Sequence, residues 1–139
     1  MKSPLISLLL IAMSVFATSC ERSGGTDSNT SQVATSGSWK VTLFTDSGND
    51  ETSDFLGYIF TFSQSGTLSA VKNGVTTNGT WRVITSSNKF NIDLGPKVAS
   101  NKPLGELTDD WKIISNTETV IRLTDDNTSS NELLTFTKN

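Results

Sequence analysis

Carboxylates and one thiol are the residues here with chemistry to offer. Asp46, Asp50, Glu51 and Asp54 cluster around Gly48, and Asp109-Asp110 and Asp125-Asp126 are adjacent pairs. Hard oxygen donors beside a glycine turn make the 46–54 segment a candidate for weak calcium binding, although its spacing is not that of an EF-hand loop. Paired carboxylates could also cleave glycosides, but they would have to face each other across a bond. Neighbouring residues on extended backbone point to opposite faces. The two pairs therefore read as turn residues before strands. The chain has 139 residues, one cysteine and no histidine. That excludes Cys/His metal clusters, imidazole-based nucleophilic catalysis and an internal disulfide. No catalytic residue and no cofactor is expected, and the chain does not read as an enzyme. A net charge of −3 leaves no basic footprint for nucleic acid.

The single cysteine, Cys20, ends an export leader. Lys2 gives the positive start, Leu5 to Phe16 is apolar apart from Ser7 and Ser14, and Ala17-Thr18-Ser19 is small. The run Ala17-Thr18-Ser19-Cys20 resembles the lipobox of bacterial lipoproteins. The resemblance implies a signal peptide over 1–19 and lipid attachment at Cys20. It also explains why an exported chain carries an unpaired thiol. Acyl chains at about 0.8 kcal/mol per buried methylene would hold the protein to a membrane. Glu21 follows the cysteine where inner-membrane lipoproteins carry Asp, so the resemblance implies the outer membrane, on its periplasmic or surface face. Losing residues 1–19 removes only Lys2, which leaves ten cations against 14 acids and a mature charge of −4. Residues 20–36 are polar, with Val33 the one branched aliphatic, and read as a flexible tether after the lipidated cysteine.

Residues 37–139 make one domain of 103 residues, enough for a single core. Its period is two. Trp39, Val41 and Leu43 alternate with polar residues, as do Tyr58, Phe60 and Phe62, then Leu68 and Ala70, then Trp81 and Val83. Phe90, Ile92 and Leu94 follow, then Trp111 and Ile113, Ile121 and Leu123, and Leu134 and Phe136. Asn73-Gly74 is a hairpin signal, Gly95-Pro96 ends a strand, and a short turn is expected between Pro103 and Thr108. Eight short strands without a convincing helix predict an all-β fold, an eight-stranded antiparallel up-and-down barrel. Trp-Lys-Val at 39–41, Trp-Arg-Val at 81–83 and Trp-Lys-Ile at 111–113 share one form. Either half of the barrel is duplicated or each Trp marks a good strand start.

Gly37-Ser38-Trp39 resembles the Gly-x-Trp signature of lipocalins. A Phe-x-Phe strand with a glycine turn (Phe60 to Gly66), a second Gly-x-Trp at Gly79 to Trp81, a late Trp111 and a closing Leu134 to Phe136 follow. That order is similar to the lipocalin-like lipoproteins of Gram-negative bacteria. The resemblance implies a structural role for Trp39 in closing the barrel floor. Where lipocalins pack an Arg from the last strand on this Trp, the chain offers Lys138. The domain is also shorter than a full lipocalin and lacks its C-terminal helix.

In a simple meander, loops 45–54, 72–74, 95–110 and 125–130 share one end. Loops 63–66, 84–88 and 115–118 share the other with the chain entry. The long-loop end, where barrel ligands enter, should face away from the membrane and carries nine of the 14 acids. An acidic mouth tolerates neutral or cationic partners. An eight-stranded barrel is either filled or holds one small guest. If hollow, Tyr58, Phe60, Phe62, Trp81, Phe90 and Ile113 would line a site for a small apolar ligand. Tyr58 and Trp81 each add a polar handle. If filled, the protein would be an interaction or protease-inhibitor-type module acting through its long acidic loops. Either way a monomer is expected.

Overall fold

The computed structural model describes residues 26–139. Cys20, the leader and the first part of the expected tether lie outside the described residues. Eight strands form the wall: β1 (Ser38–Asp46), β3 (Ile59–Phe62), β4 (Thr67–Lys72), β5 (Val75–Ile84), β6 (Lys89–Asp93), β7 (Asp109–Asn116), β8 (Val120–Thr124) and β9 (Leu133–Lys138). Each pairs antiparallel with the next, and β9 pairs with β1 from Trp39–Lys138 to Thr45–Leu133, which closes the ring. The expected eight-stranded up-and-down barrel is the fold. The eight apolar alternations mark the eight strands, though a bulge between Val41 and Leu43 turns Phe44 inward in place of Leu43, and Tyr58 and Leu94 fall just outside β3 and β6; the long loops do gather at one end, the mouth.

Two further local features differ from the sequence reading. Ser47 and Gly48 both take positive φ (50° and 81°), so β1 folds back through a two-residue turn into a short strand, β2 (Asn49–Asp50), inside the expected 45–54 loop. That is the geometry of a type I′ hairpin. Asn73 and Gly74, with φ of 52° and 78°, make the same turn between β4 and β5, as their sequence predicts. The second difference is in the stretch read as a tether. There Thr26–Ala34 forms helix α1, with Thr30, Val33 and Ala34 buried. The helix packs on β5 and β7 under the barrel. Burying Val33 and Ala34 against the open floor supplies the stability its own polar sequence lacks.

Inward positions fill the interior. Trp39, Phe60, Phe90, Trp111, Ile121, Leu134 and Phe136 have no exposed surface. Phe62 meets Trp81, Phe90 and Phe136 edge-on at 5.2–5.4 Å between ring centres, and Phe136 meets Phe60 at 5.4 Å. These are favoured aromatic geometries. The ends are sealed as well. The 3₁₀ turn Thr52–Phe55 drops Phe55 onto Phe44, with ring centres 5.1 Å apart. The 3₁₀ turn Leu104–Leu107, after Pro103 as expected, buries Leu104 and Leu107 under the mouth loop. At the floor, Trp39 donates its indole N–H to the Ala34 carbonyl at 2.8 Å. Lys138 lies over the Trp39 ring, its Nζ 5.8 Å from the centre, and donates to Ser36 Oγ at 2.8 Å.

Gly79 is where β5 passes closest to the end of β6. A Cβ there would sit 2.0 Å from the Asp93 carbonyl oxygen and 2.9 Å from Leu94 Cδ2. Gly79→Ala is expected to destabilise the fold by about 1–3 kcal/mol or more through overpacking. Gly74→Ala has open space around its Cβ. It should cost on the order of 1 kcal/mol, from its positive φ alone. Urea unfolding followed by tryptophan fluorescence compares the two.

Candidate functional site

The residues nominated as ligand-lining do converge, but on one another. Phe60, Phe62, Phe90 and Ile113 are core residues, 0–3 % exposed. Trp81 stacks on Phe90 at 5.4 Å and donates its N–H to the Ser63 carbonyl at 2.9 Å. Tyr58 alone sits at the rim, 6.0 Å from Phe60, with the Lys72 ammonium 4.8 Å from its ring. Making room for a guest by expelling one Phe would cost about 3–5 kcal/mol. That is roughly half of the ~8 kcal/mol a micromolar ligand supplies. The lumen is a packed core.

Polar chemistry collects at the mouth instead. Strands β7, β8 and β9 are neighbours, so Asp109 at the start of β7, Asp125 after β8 and Glu132 before β9 come together. Their carboxylate oxygens lie within 4.8 Å of one another. Lys97, from the loop after β6, places its ammonium 2.7 Å from Asp109 Oδ2. Burial alone would lower the Lys97 pKa. The hydrogen bond to Asp109 and the charges of Asp109, Glu132 and Asp125 reverse that and raise it. For Asp125 burial pushes upward. Hydrogen bonds from Ser130 and the backbone N–H groups of Asn127 and Asp126, with the charge of Lys97, bring it below its ordinary value. Glu132 is raised, first by burial and then by the like charges of Asp125, Asp46 and Asp109, against the pull of Lys97. Its Oε2 is buried with no hydrogen-bond partner among the described residues. Three hard oxygen donors of this kind suit a divalent cation. In this arrangement Lys97 supplies the positive charge.

The acids nominated for calcium are placed differently. Asp46 accepts a hydrogen bond from the Ser47 hydroxyl at 2.8 Å; the Thr52 side chain, and then the Thr52 backbone N–H at 2.9 Å, lower the Asp50 pKa. Asp54 and Glu51 belong to the Thr52–Phe55 turn and its entry. The trio that converges is Asp109, Asp125 and Glu132. Sequence reading marked the first two only as turn residues and did not single out Glu132. The signal was available in strand order, since the ends of adjacent strands must meet. Asp109 and Asp110 point apart as expected, Asp109 to Lys97 and Asp110 to Asn91. Asp110 thereby reaches an open groove of roughly 480 Å³ on the outer wall, lined by Thr80, Arg82, Asn91, Asp93 and Asp109 among others. Arg82 lies directly opposite Asn91 in the β5–β6 ladder. The sequence reading placed no site on that face.

Glu132 carries a pH prediction. Its folded pKa is raised, so its ionised form weakens the folded state above that pKa. The penalty disappears as pH falls through the folded pKa. Glu132→Gln should therefore raise the melting temperature at about pH 7, with the gain shrinking towards zero near about pH 4. Lys97→Gln should lower it at neutral pH, because the three carboxylates then lack their counter-charge. Thermal melts across pH read both.

No protein-family model matches the chain, and no curated protein sequence matches it significantly. Among solved structures it is similar to the crystal structure of a DUF4847 family protein from Bacteroides vulgatus. That likeness has 18% sequence identity over 79% of this chain and 97% of the other, with a TM-score of 0.59. An NMR structure of a protein from Burkholderia xenovorans aligns over 99% of this chain and 97% of its own, at 16% identity and a TM-score of 0.49. What the chain shares with the Bacteroides protein is its barrel fold.

Proposed function

We propose that the chain is a lipocalin-like lipoprotein of the outer membrane, anchored through acylated Cys20, and that its barrel is a non-catalytic interaction module working through the mouth loops. The observation that carries this reading is a filled barrel, sealed at both ends. Recognition then falls to the exterior. The mouth exposes Leu56 (68%), Val75 (68%) and Val98 among its acids. Exposed aliphatics ringed by carboxylates suit a partner with an apolar contact surface and a cationic rim. The lipobox-like run before Cys20 supports the anchor. The Trp39–Lys138 contact supports the lipocalin likeness, because it fills the place of that family's Arg–Trp pair.

Native mass spectrometry of protein released from its own membranes tests the reading. The expected mass carries acyl groups on Cys20, lost in Cys20→Ser, and no small-molecule adduct. A stoichiometric apolar adduct would return the function to the barrel interior. A photo-crosslinker at Val75 should trap a discrete partner in cells, and one at Thr61, exposed on the wall, should not. Equal trapping at both positions would remove the mouth from the proposal.

A further inference from the structure

Charge is divided along the barrel axis. Residues 37–139 carry nine cations and twelve acids. Eleven of the twelve acids lie in the mouth loops or at the mouth ends of strands, together with Lys72, Lys97 and Lys102. The other half holds Glu118 and six cations: Lys40, Arg82, Lys89, Lys112, Arg122 and Lys138. The two halves of the domain therefore carry −8 and +5, which sum to its −3, and Asp27 of helix α1 brings the floor end to +4. The six cations come one each from six contiguous strands, β5 through β9 and then β1. All but Lys112 lie within three residues of the floor end of their strand, and Lys112 sits in the middle of β7.

Two of the six have partners. Lys89 pairs with Asp126 at 2.5 Å, and Lys138 covers Trp39. Lys40, Arg82, Lys112 and Arg122 are exposed and form no ion pair among the described residues. Lys112 even stands directly across the ladder from Lys89. Like charges so placed oppose folding. Lys89 is answered by Asp126, and Arg82 shares its outer groove with Asp93, Asp109 and Asp110, but Lys40, Lys112 and Arg122 form no ion pair among the described residues, and such unpaired surface cations are complementary to an external anionic surface.

The chain itself indicates which surface. The floor is the end where α1 and Trp39 meet, and α1 begins at Thr26, six residues after Cys20. We infer that the cationic floor half docks on anionic lipid headgroups, setting the barrel upright with its acidic mouth outward; this rests on the membrane-anchored reading above. Screening makes the division effective. The Debye length is about 8 Å at physiological salt. The cation-bearing strands run from five residues (β6 and β8) to ten (β5), which is about 16 to 33 Å along the strand. Headgroups at the floor would thus feel the floor-end cations Lys40 and Arg122 more than the acids of the far loops, while Lys89 reaches across to Asp126.

The test uses residues 21–139, which lack Cys20 and retain the whole closed barrel, so no acyl chain contributes. Binding to vesicles of phosphatidylglycerol and phosphatidylcholine in equal parts is compared with binding to phosphatidylcholine alone. At about 20 mM salt the anionic vesicles should capture the protein, with capture lost by about 300 mM. The Arg82→Gln, Lys112→Gln, Arg122→Gln triple variant should bind on the order of a hundredfold more weakly. Lys72→Gln with Lys102→Gln, at the mouth, should change binding by less than about twofold. Equal binding to both vesicle types, or a triple variant that binds like the parent, overturns the inference. So does self-association at low salt that the triple variant abolishes, because the band would then belong to the mouth of a second copy. The acylation experiment on Cys20 is independent, so either idea can fail without the other.

Discussion

An aromatic interior has to be sealed. The inward faces of eight strands present almost nothing polar, so water at either opening would meet unsolvated rings. The fold meets this constraint with three indoles. Trp39 donates to Ala34 in the floor helix, Trp81 to Ser63 in a floor turn, and Trp111 to Leu107 in the roof at 2.9 Å. Each ring is buried in the core while its single polar atom secures a capping segment. This gives the three Trp-cation-aliphatic runs a common physical purpose, whether or not they share ancestry. A side chain that is large, apolar and equipped with one donor suits the boundary between core and cap.

Most of the wall was legible in the sequence, because alternation reports directly which face of a strand is buried. Asn73-Gly74 announced its hairpin for a local reason as well. What escaped depended on distant parts of the chain. Helix α1 has a polar, helix-poor sequence, and only the open floor beneath β5 and β7 makes Val33 and Ala34 worth burying. Counting aromatics could not distinguish a hollow barrel from a filled one, since the answer turned on Phe55, Leu104 and Leu107 folding inward from loops. The Asp109–Asp125–Glu132 trio was hidden because its members are far apart in sequence and meet only through strand order. The calcium expectation, drawn from local spacing alone, named acids other than the three that converge.

The polarity of the molecule is therefore built in two ways. Mouth acids sit mainly in loops, where a partner can reach them and where their repulsion is tempered by Lys89, Lys97 and Lys102. Such exposed pairs contribute only about 0–1 kcal/mol each. Floor cations sit on strands, so register fixes where their backbones lie, and Lys89 among them reaches across to Asp126.

The wall is not uniform. β1 is joined to β9 through six residue pairs but to β3 through only two, Ser38–Thr61 and Trp39–Phe60. A cylinder with one thinly stitched seam parts there before it parts elsewhere. Any transient breathing that let solvent touch the buried rings would begin along that line, and the floor tryptophan lies on it. The indole that plugs the base is thus also the last stitch holding the cylinder shut.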